Sequence, residues 1–176
     1  MSIKLNTKKN IYKELLNGVF NEHENVFKET HRLIGDDIEE AADLIAKSLA
    51  SGGTIFWCGN GGSAADSQHI AAEFVGRFKK DRKPLRSIAL TTDSSILTCV
   101  ANDYSFEEVF SRQINALGRS GDVLVAITTS GKSENIKQAL VQARTMGIKT
   151  IGLLGKNGGE CKDYTDVSMI VPSDTT

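Results

Sequence analysis

The spacing of apolar residues divides the chain into two parts that meet near residue 54. In the first part apolar residues recur every three or four positions, which predicts helices over about residues 8–27 and 38–49. Between them, Gly35-Asp36-Asp37 indicates a break followed by the start of a helix. In the second part, short runs of consecutive apolar residues alternate with amphipathic segments. The sequence therefore predicts a helical hairpin followed by an alternating strand–helix unit.

The second part contains five short apolar segments that we interpret as β-strands. They cover residues 54–58, 87–90, 122–128, 149–154 and 167–171. Helical spacing is found between them, over about residues 63–78, 94–101, 106–117 and 133–146. Apolar strands that alternate with helices are typical of a parallel sheet covered on both faces. We therefore expect an α/β fold, a three-layer α/β/α sandwich with a five-stranded parallel sheet, in a single domain over residues 1–176.

The composition excludes several classes of protein. The 21 Lys and Arg residues balance 22 Asp and Glu residues, so no basic surface for nucleic acid is expected. No apolar run approaches the roughly 20 residues of a membrane-spanning helix, and the N-terminus lacks the apolar stretch of a signal peptide. The 3 cysteines are scattered and indicate no disulfide framework. We expect a cytoplasmic protein that binds neither membranes nor nucleic acid.

The segment after the first predicted strand is rich in glycine. Ligands bind at the carboxyl ends of parallel strands, and Asn60-Gly61-Gly62-Ser63 lies at such an end, directly before a helix. The spacing Gly59-x-Gly61-x-x-Ala64 also matches a dinucleotide fingerprint. The acidic residue expected about 20 positions later lies in a charged loop, as Asp81, which disfavours a dinucleotide. A tight turn that uses the φ freedom of glycine would explain any single glycine here. Three glycines together with Asn60 and Ser63 at a helix start indicate an oxygen-rich ligand that approaches the backbone closely.

The helix predicted after this loop carries a pair of candidate metal ligands. His69 and Glu73 are four residues apart and therefore share one face of a helix. An imidazole and a carboxylate at this spacing can share a divalent metal ion or act together in proton transfer. A surface ion pair is the commoner reason for such spacing, but the position of this helix at the glycine loop favours a site. Arg77 adds a cation one turn further along, as a site residue or as a solvated side chain near the helix end.

Hydroxyl residues dominate the segment after the third predicted strand. They surround Gly131 directly before a helix, and they are Thr128, Thr129, Ser130 and Ser133. Side-chain and backbone donors at this place converge on the positive end of the helix dipole. A loosened P-loop is disfavoured, because its first residues would be the buried strand itself. A Ser-capped helix would explain Ser133 but not the hydroxyls before it, so we favour a monophosphate site.

A third candidate lies at the end of the helix predicted over residues 94–101. Asn102 and Asp103 follow this helix, and asparagine is common at a helix C-terminus. The carboxylate of Asp103 could instead hydrogen-bond the hydroxyl groups of a sugar. The sequence alone gives these two interpretations equal weight.

Several segments together resemble one known family. CGNGGSAADSQHIAAEFVGRF (58–78), Ala101-Asn102-Asp103, FSRQINALGRSGDVL (110–124) and TTSGKSEN (128–135) resemble the bacterial phosphoheptose isomerases, which are sugar isomerase (SIS) domain proteins. The resemblance covers nearly the whole chain, and its most specific part is the glycine loop followed by HxxxE. It implies conversion of sedoheptulose 7-phosphate to D-glycero-D-manno-heptose 7-phosphate, in heptose synthesis for lipopolysaccharide, capsule or S-layer. It also implies a homotetramer with shared active sites, in which the helices of residues 8–50 form an oligomerisation arm on the α/β core.

The resemblance also implies roles for the candidate residues. His69 and Glu73 match zinc ligands of the family, with one zinc ion per subunit, and Glu73 also matches its catalytic base. The positions that match substrate-binding residues are Asn60, Gly61, Gly62, Ser63, Asn102, Asp103, Thr128, Thr129, Ser130 and Ser133. Family members continue past the last strand into a helix whose Gln and His are further zinc ligands. The sequence given ends before such a helix, and we expect that it is truncated.

Two alternatives to this function stay open. One is a non-catalytic SIS module, similar to an initiator-associating relative that binds a replication initiator as a tetramer. Such a scaffold has no need of a metal pair, so His69 and Glu73 argue against it. The other is an isomerase of a different phosphosugar, because the sequence does not distinguish sugars that differ by one hydroxyl.

Overall fold

The computed structural model describes residues 2–175, with side chains from residue 10 onward. The helices are α1 Ser2–Ala50, α2 Gly62–Val75, α3 Ser94–Asp103, α4 Ser111–Leu117 and α5 Glu134–Thr145. The strands are β1 Ile55–Gly59, β2 Ser87–Ala89, β3 Val123–Thr128, β4 Lys149–Leu154 and β5 Val167–Ile170. Short 3-10 helices lie at Phe106–Glu108 and Cys161–Tyr164. The five predicted strands are therefore confirmed, each within a few residues of its expected bounds.

The five strands form one parallel sheet in the order β2-β1-β3-β4-β5. The chain leaves β1 towards one edge to form β2 and then returns to the other side of β1 as β3. A sheet opens a crevice at such a switch point, at the carboxyl ends of the two strands. The loops after β1 and β3 are neighbours there, since Gly59 pairs with Ile127 in the strand register.

Helices cover both faces of the sheet, which explains why the central strands β1 and β3 are apolar along almost their whole length. Successive residues of a strand point to opposite faces. Phe56 and Leu124 therefore join a buried cluster with α3, α4 and α5, whereas Trp57 and Val125 join a second cluster with α1 and α2. The predicted three-layer α/β/α sandwich is confirmed.

The N-terminal region differs from the predicted hairpin in one respect. α1 is a long helix kinked at Ile34, whose φ of −121° and ψ of 17° are not helical. The break thus lies beside Gly35, as predicted, but the first segment does not fold back onto the second. Its apolar side chains are between 55% and 67% exposed: Ile11, Tyr12, Leu15, Leu16, Val19, Phe20 and Phe27. From Ile34 to Leu49 the helix packs on the sheet, which covers most of its apolar face but leaves Ile38 46% exposed.

Two helix boundaries also differ from prediction. α2 ends at Val75 rather than at residue 78, because the guanidinium of Arg82 donates to the carbonyl oxygens of Glu73 and Phe74, both at 2.8 Å. These are carbonyl groups that a helix C-terminus leaves without intrahelical partners. The helix predicted over 106–117 is divided into a 3-10 turn and α4.

None of the described helices combines the length and hydropathy that crossing a membrane requires.

Candidate active site

The loop after β1 turns sharply into α2. Gly61 has a φ of +56°, a conformation that strains any residue with a side chain, and α2 begins at the next residue. A Cβ on Gly59 would lie 2.6 Å from the carbonyl oxygen of Ser63, so glycine also allows α2 to start close against β1. Gly61 and Gly62 are exposed in this turn. The turn brings Asn60 and Ser63 to the crevice at the switch point.

The loop after β3 presents its hydroxyl groups to the same crevice. Thr128 Oγ1 accepts a hydrogen bond from Gly131 N at 3.2 Å and lies 3.5 Å from the hydroxyl oxygens of Ser130 and Ser133. Hydroxyl–hydroxyl bonds are normally about 2.5–3.0 Å long, so these groups keep much of their capacity to bind a ligand. The side chain of Ser133 makes no capping hydrogen bond to α5. Helix capping alone therefore does not explain this serine.

A cavity of about 70 Å³ lies between the two loops. Its lining consists of Asn60, Ser63, Ile127, Thr128, Thr129, Ser130 and Ser133. The volume exceeds that needed by one water molecule, and most of the lining is polar, which suits a small oxyanion. A cleft of about 260 Å³ shares Ser63, Thr128 and Thr129 with this cavity and extends to Gly155 and Val171. Together the two spaces fit a small molecule that carries an oxyanion at one end.

The loop after β4 packs against the loop after β3, which carries the hydroxyl groups. Gly131 has a φ of +62°, and a Cβ built there would overlap the carbonyl oxygen of Gly158. A Cβ on Gly155 would likewise overlap the carbonyl oxygen of Thr129. The backbone N of Cys161 also donates to the carbonyl oxygen of Gly131 at 3.0 Å. The shape of the cavity therefore depends on backbone-to-backbone contact between two loops.

His69 and Glu73 lie on one face of α2, as predicted. His69 Nε2 is 3.6 Å from Glu73 Oε1, and their side chains are 77% and 32% exposed. Neither residue lines the cavity or the cleft. In the part of the chain that the structure describes, no third His, Cys, Asp or Glu joins them in a group that could hold a metal. Their donor atoms and spacing fit two ligands of a tetrahedral zinc ion, which is half of its coordination shell.

Asn102 and Asp103 lie on α3, away from the cavity and the cleft. Asn102 Nδ2 donates to one carboxylate oxygen of Asp103 at 2.8 Å, and the thiol of Cys99 lies 3.4 Å from the other. The hydrogen bond from Asn102, and to a smaller extent that from Cys99, lowers the pKa of Asp103 below its ordinary value. Tyr104, not Asn102, occupies the C-cap position of α3. The helix-cap interpretation of Asn102 is therefore wrong, and its amide is engaged with Asp103 instead.

Among the residues at the site that the sequence did not single out, two are polar side chains with a direct bearing on it. Asp66 on α2 lines the cleft, and its spacing of three residues from His69 could have indicated this. Asn135 bonds the side chain of Asn60, but as the second residue of α5 it resembles any polar residue at a helix start. Arg77, in contrast, is exposed beyond the end of α2 and lines neither space.

A family model and several curated relatives match most of this chain. The SIS domain family model matches residues 20–155. The phosphoheptose isomerase of a Nitratiruptor species is 50% identical over 166 residues, which are 94% of this chain and 86% of that protein. That of Clostridium acetobutylicum is 52% identical over 141 residues, or 80% of this chain and 72% of that protein.

Solved structures agree with these relatives. The phosphoheptose isomerase of Neisseria gonorrhoeae matches with a TM-score of 0.88 and 41% identity, covering 93% of this chain and 88% of that chain. That of Francisella tularensis gives the same TM-score at 36% identity, covering 92% of this chain and 86% of that chain. The resemblance noted in the sequence is confirmed: the chain belongs to the phosphoheptose isomerases, a family of isomerases built on the SIS domain.

Proposed function

We propose that this protein interconverts sedoheptulose 7-phosphate and D-glycero-D-manno-heptose 7-phosphate through a cis-enediol. The observation that carries this proposal is the hydroxyl-lined cavity of about 70 Å³, which opens into a longer cleft at the switch point of the sheet. A phosphoryl group in the cavity would extend its sugar chain along the cleft. Relatives named phosphoheptose isomerase share 50% and 52% sequence identity with this chain, and they support a heptose phosphate as the substrate.

In this proposal, the loop after β3 contributes to the rate of isomerisation as well as to the affinity for the substrate. Donors from Thr128, Ser130 and Ser133 and the backbone at the start of α5 converge on one small volume. Holding the phosphoryl group there restricts the position of the reacting carbons at the other end of the sugar. Binding energy from this non-reacting group can therefore be used to orient the reaction.

Glu73 is the proposed general base, and because it lines neither the cavity nor the cleft, the reacting end of the sugar would extend beyond the described cleft to reach it. Its carboxylate takes the proton from C1 of the ketose, which gives the enediol, and returns a proton to C2 to give the aldose. A second proton leaves the hydroxyl oxygen on C1 and reaches the carbonyl oxygen on C2, so the two sugars remain isomers. His69 and Glu73 would together hold zinc, with further ligands from outside the described residues. When bound, zinc polarises the carbonyl oxygen and stabilises the negative charge that develops on it.

Turnover of sedoheptulose 7-phosphate in deuterated water tests this function. We expect the zinc-supplemented protein to form the aldose and to incorporate deuterium at the carbon that exchanges its proton, both followed by NMR. Sedoheptulose without its phosphate should react far more slowly, because the cavity then contributes nothing. Binding of the phosphosugar without turnover would instead indicate the non-catalytic module, and turnover only of another phosphosugar would identify a different isomerase.

We also propose that the first segment of α1, residues 10–33, assembles the protein into a homotetramer. A run of apolar side chains that stays more than half exposed indicates a surface that another chain covers. In a tetramer with shared sites, Asn102, Asp103 and Arg77 would reach a cavity of a neighbouring copy, which would explain their distance from the cavity of their own chain.

A phosphorylated substrate does not cross a bilayer unaided, which favours the cytoplasm as the place of reaction.

The oligomeric state can be tested at Phe20. Phe20→Asp places a charge in the exposed apolar stripe and should lower the mass measured by light scattering from four chains to fewer. Asn21→Asp, an exposed position whose neighbours one turn away in both directions are polar or glycine, should keep the wild-type mass. A wild-type protein that is monomeric, or a Phe20→Asp variant that stays tetrameric, would contradict the assignment.

A further inference from the structure

The amide groups of Asn60 and Asn135 form a closed pair of hydrogen bonds between the two loops of the site. Asn60 Nδ2 donates to Asn135 Oδ1, and Asn135 Nδ2 donates to Asn60 Oδ1, both at 2.9 Å. Asn60 lines the cavity, whereas Asn135 is 3% exposed and stands behind it as the second residue of α5. The pair therefore connects one wall of the cavity to the helix that carries the opposite wall.

A closed amide pair couples the orientations of the two side chains. Each primary amide has two N–H donors and one carbonyl oxygen, and the pair uses one donor and the oxygen of each residue. Asn60 consequently keeps one N–H for a ligand. If its amide rotated by half a turn, nitrogen would face nitrogen and oxygen would face oxygen, and buried groups of Asn135 would lose their partners. Asn135 thus couples its own orientation to that of Asn60 and, in the observed arrangement, leaves one N–H of Asn60 for the ligand.

The same pair sets the separation of the two loops. Asn60 directly follows β1, whereas Asn135 lies at the start of α5, the helix that follows β3. The hydroxyl groups of Thr128 and Ser133 belong to the same side of the cavity as Asn135, since Thr128 ends β3 and Ser133 directly precedes α5. An oxyanion in the cavity must meet donors from both sides at hydrogen-bond distance. A direct side-chain connection keeps that distance constant in the absence of ligand.

We propose that Asn135 is a positioning residue for phosphate binding. It holds the Asn60 amide with its free N–H towards the phosphoryl group and holds the two walls of the cavity at a fixed separation. This inference rests on the proposed function only in that the phosphoryl group of the sugar is the ligand of this cavity. Asn135 itself does not touch the ligand.

Calorimetric titration with inorganic phosphate tests the role directly, with the full chain and without turnover. Asn135→Ala removes both hydrogen bonds of the pair, so we expect the phosphate Kd to rise by about 5- to 100-fold. The kcat/KM for sedoheptulose 7-phosphate should fall by a similar factor. In a double-mutant cycle, adding Asn60→Ala to Asn135→Ala should cost much less than Asn60→Ala costs alone.

Asn135→Asp provides a readout that a purely structural role would not produce. When its carboxyl group is protonated, it can donate to Asn60 Oδ1 and accept from Asn60 Nδ2, which restores the pair. When ionised, it can only accept, and its negative charge lies near the phosphate. We therefore expect phosphate binding by this variant to weaken with rising pH more steeply than binding by the wild type, which is measured in parallel to correct for the titration of phosphate.

Asn115→Asp is the matched control. Asn115 is an exposed helix residue that accepts a hydrogen bond from Gln142 at 3.2 Å, and a carboxylate can accept the same bond. This variant should bind phosphate as the wild type does at every pH.

The proposal is overturned if wild-type protein does not bind phosphate, if Asn135→Ala binds it within twofold of the wild type, or if Asn135→Asp shows the wild-type pH dependence. Should Asn135→Ala fail to fold, Asn135→Asp decides. Phosphate binding without sugar turnover would refute the proposed function and leave these comparisons of affinity valid.

Discussion

Replacement of Glu73 by Gln is expected to lower kcat for sedoheptulose 7-phosphate by about 10²- to 10⁴-fold, the usual contribution of a general base. Glutamine keeps the size of the side chain and an oxygen atom near His69, but its amide does not accept a proton from carbon. The KM should change little, because Glu73 does not line the cavity assigned to the phosphoryl group. Steady-state kinetics with the zinc-supplemented protein measure both values.

Metal content separates the two roles of this carboxylate. If Glu73→Gln retains zinc, measured by mass spectrometry, the loss of activity belongs to proton transfer. Incorporation of deuterium from solvent should then fall together with turnover. Asp81→Asn removes a carboxylate from the exposed loop after α2 and should leave both quantities unchanged. A loss below about tenfold in Glu73→Gln would exclude Glu73 as the base.

Replacement of Gly131 by Ala should have the largest effect on the fold of the site. Its φ of +62° strains any residue with a Cβ by about 1–2 kcal/mol. The added Cβ would also overlap the backbone of Gly158, and overpacking of this kind costs about 1–3 kcal/mol. We expect the free energy of unfolding to fall by about 2–5 kcal/mol in total. The loop after β4 must also move away, so phosphate binding should be lost.

A second glycine isolates the contribution of this loop contact. Gly52 has a φ of +84°, and a Cβ built there has no atom within 4 Å. Gly52→Ala should therefore cost only the backbone strain, about 1–2 kcal/mol, and should bind phosphate normally. Chemical denaturation and phosphate titration of both variants make the comparison. Equal destabilisation, with phosphate binding retained in Gly131→Ala, would show that contact with Gly158 does not shape the cavity.

The central strands were predictable from the sequence because a strand buried on both faces must be apolar at almost every position. Phe56 and Trp57 face opposite layers of the sandwich, yet both are buried. Helix ends were less predictable, since the end of α2 depends on Arg82, which reaches back to Glu73 from a loop. The hairpin was wrong for a related reason. The apolar stripe of residues 10–33 shows that α1 has a face to cover, but not which surface covers it.

The sequence by itself determined the fold class, the two loops that line the candidate site and the chemical types of group that they carry. It could do so because parallel strands bring their carboxyl ends to one edge, and because glycines and hydroxyls at helix starts have local signatures. Only the tertiary structure decided which side chains share a cavity. The position of β1 beside β3 brings Asn60 to Thr128 and Ser133, and residues 75 positions apart, Asn60 and Asn135, become hydrogen-bond partners. Such contacts depend on the order of strands in the sheet, a property that no local pattern of residues records.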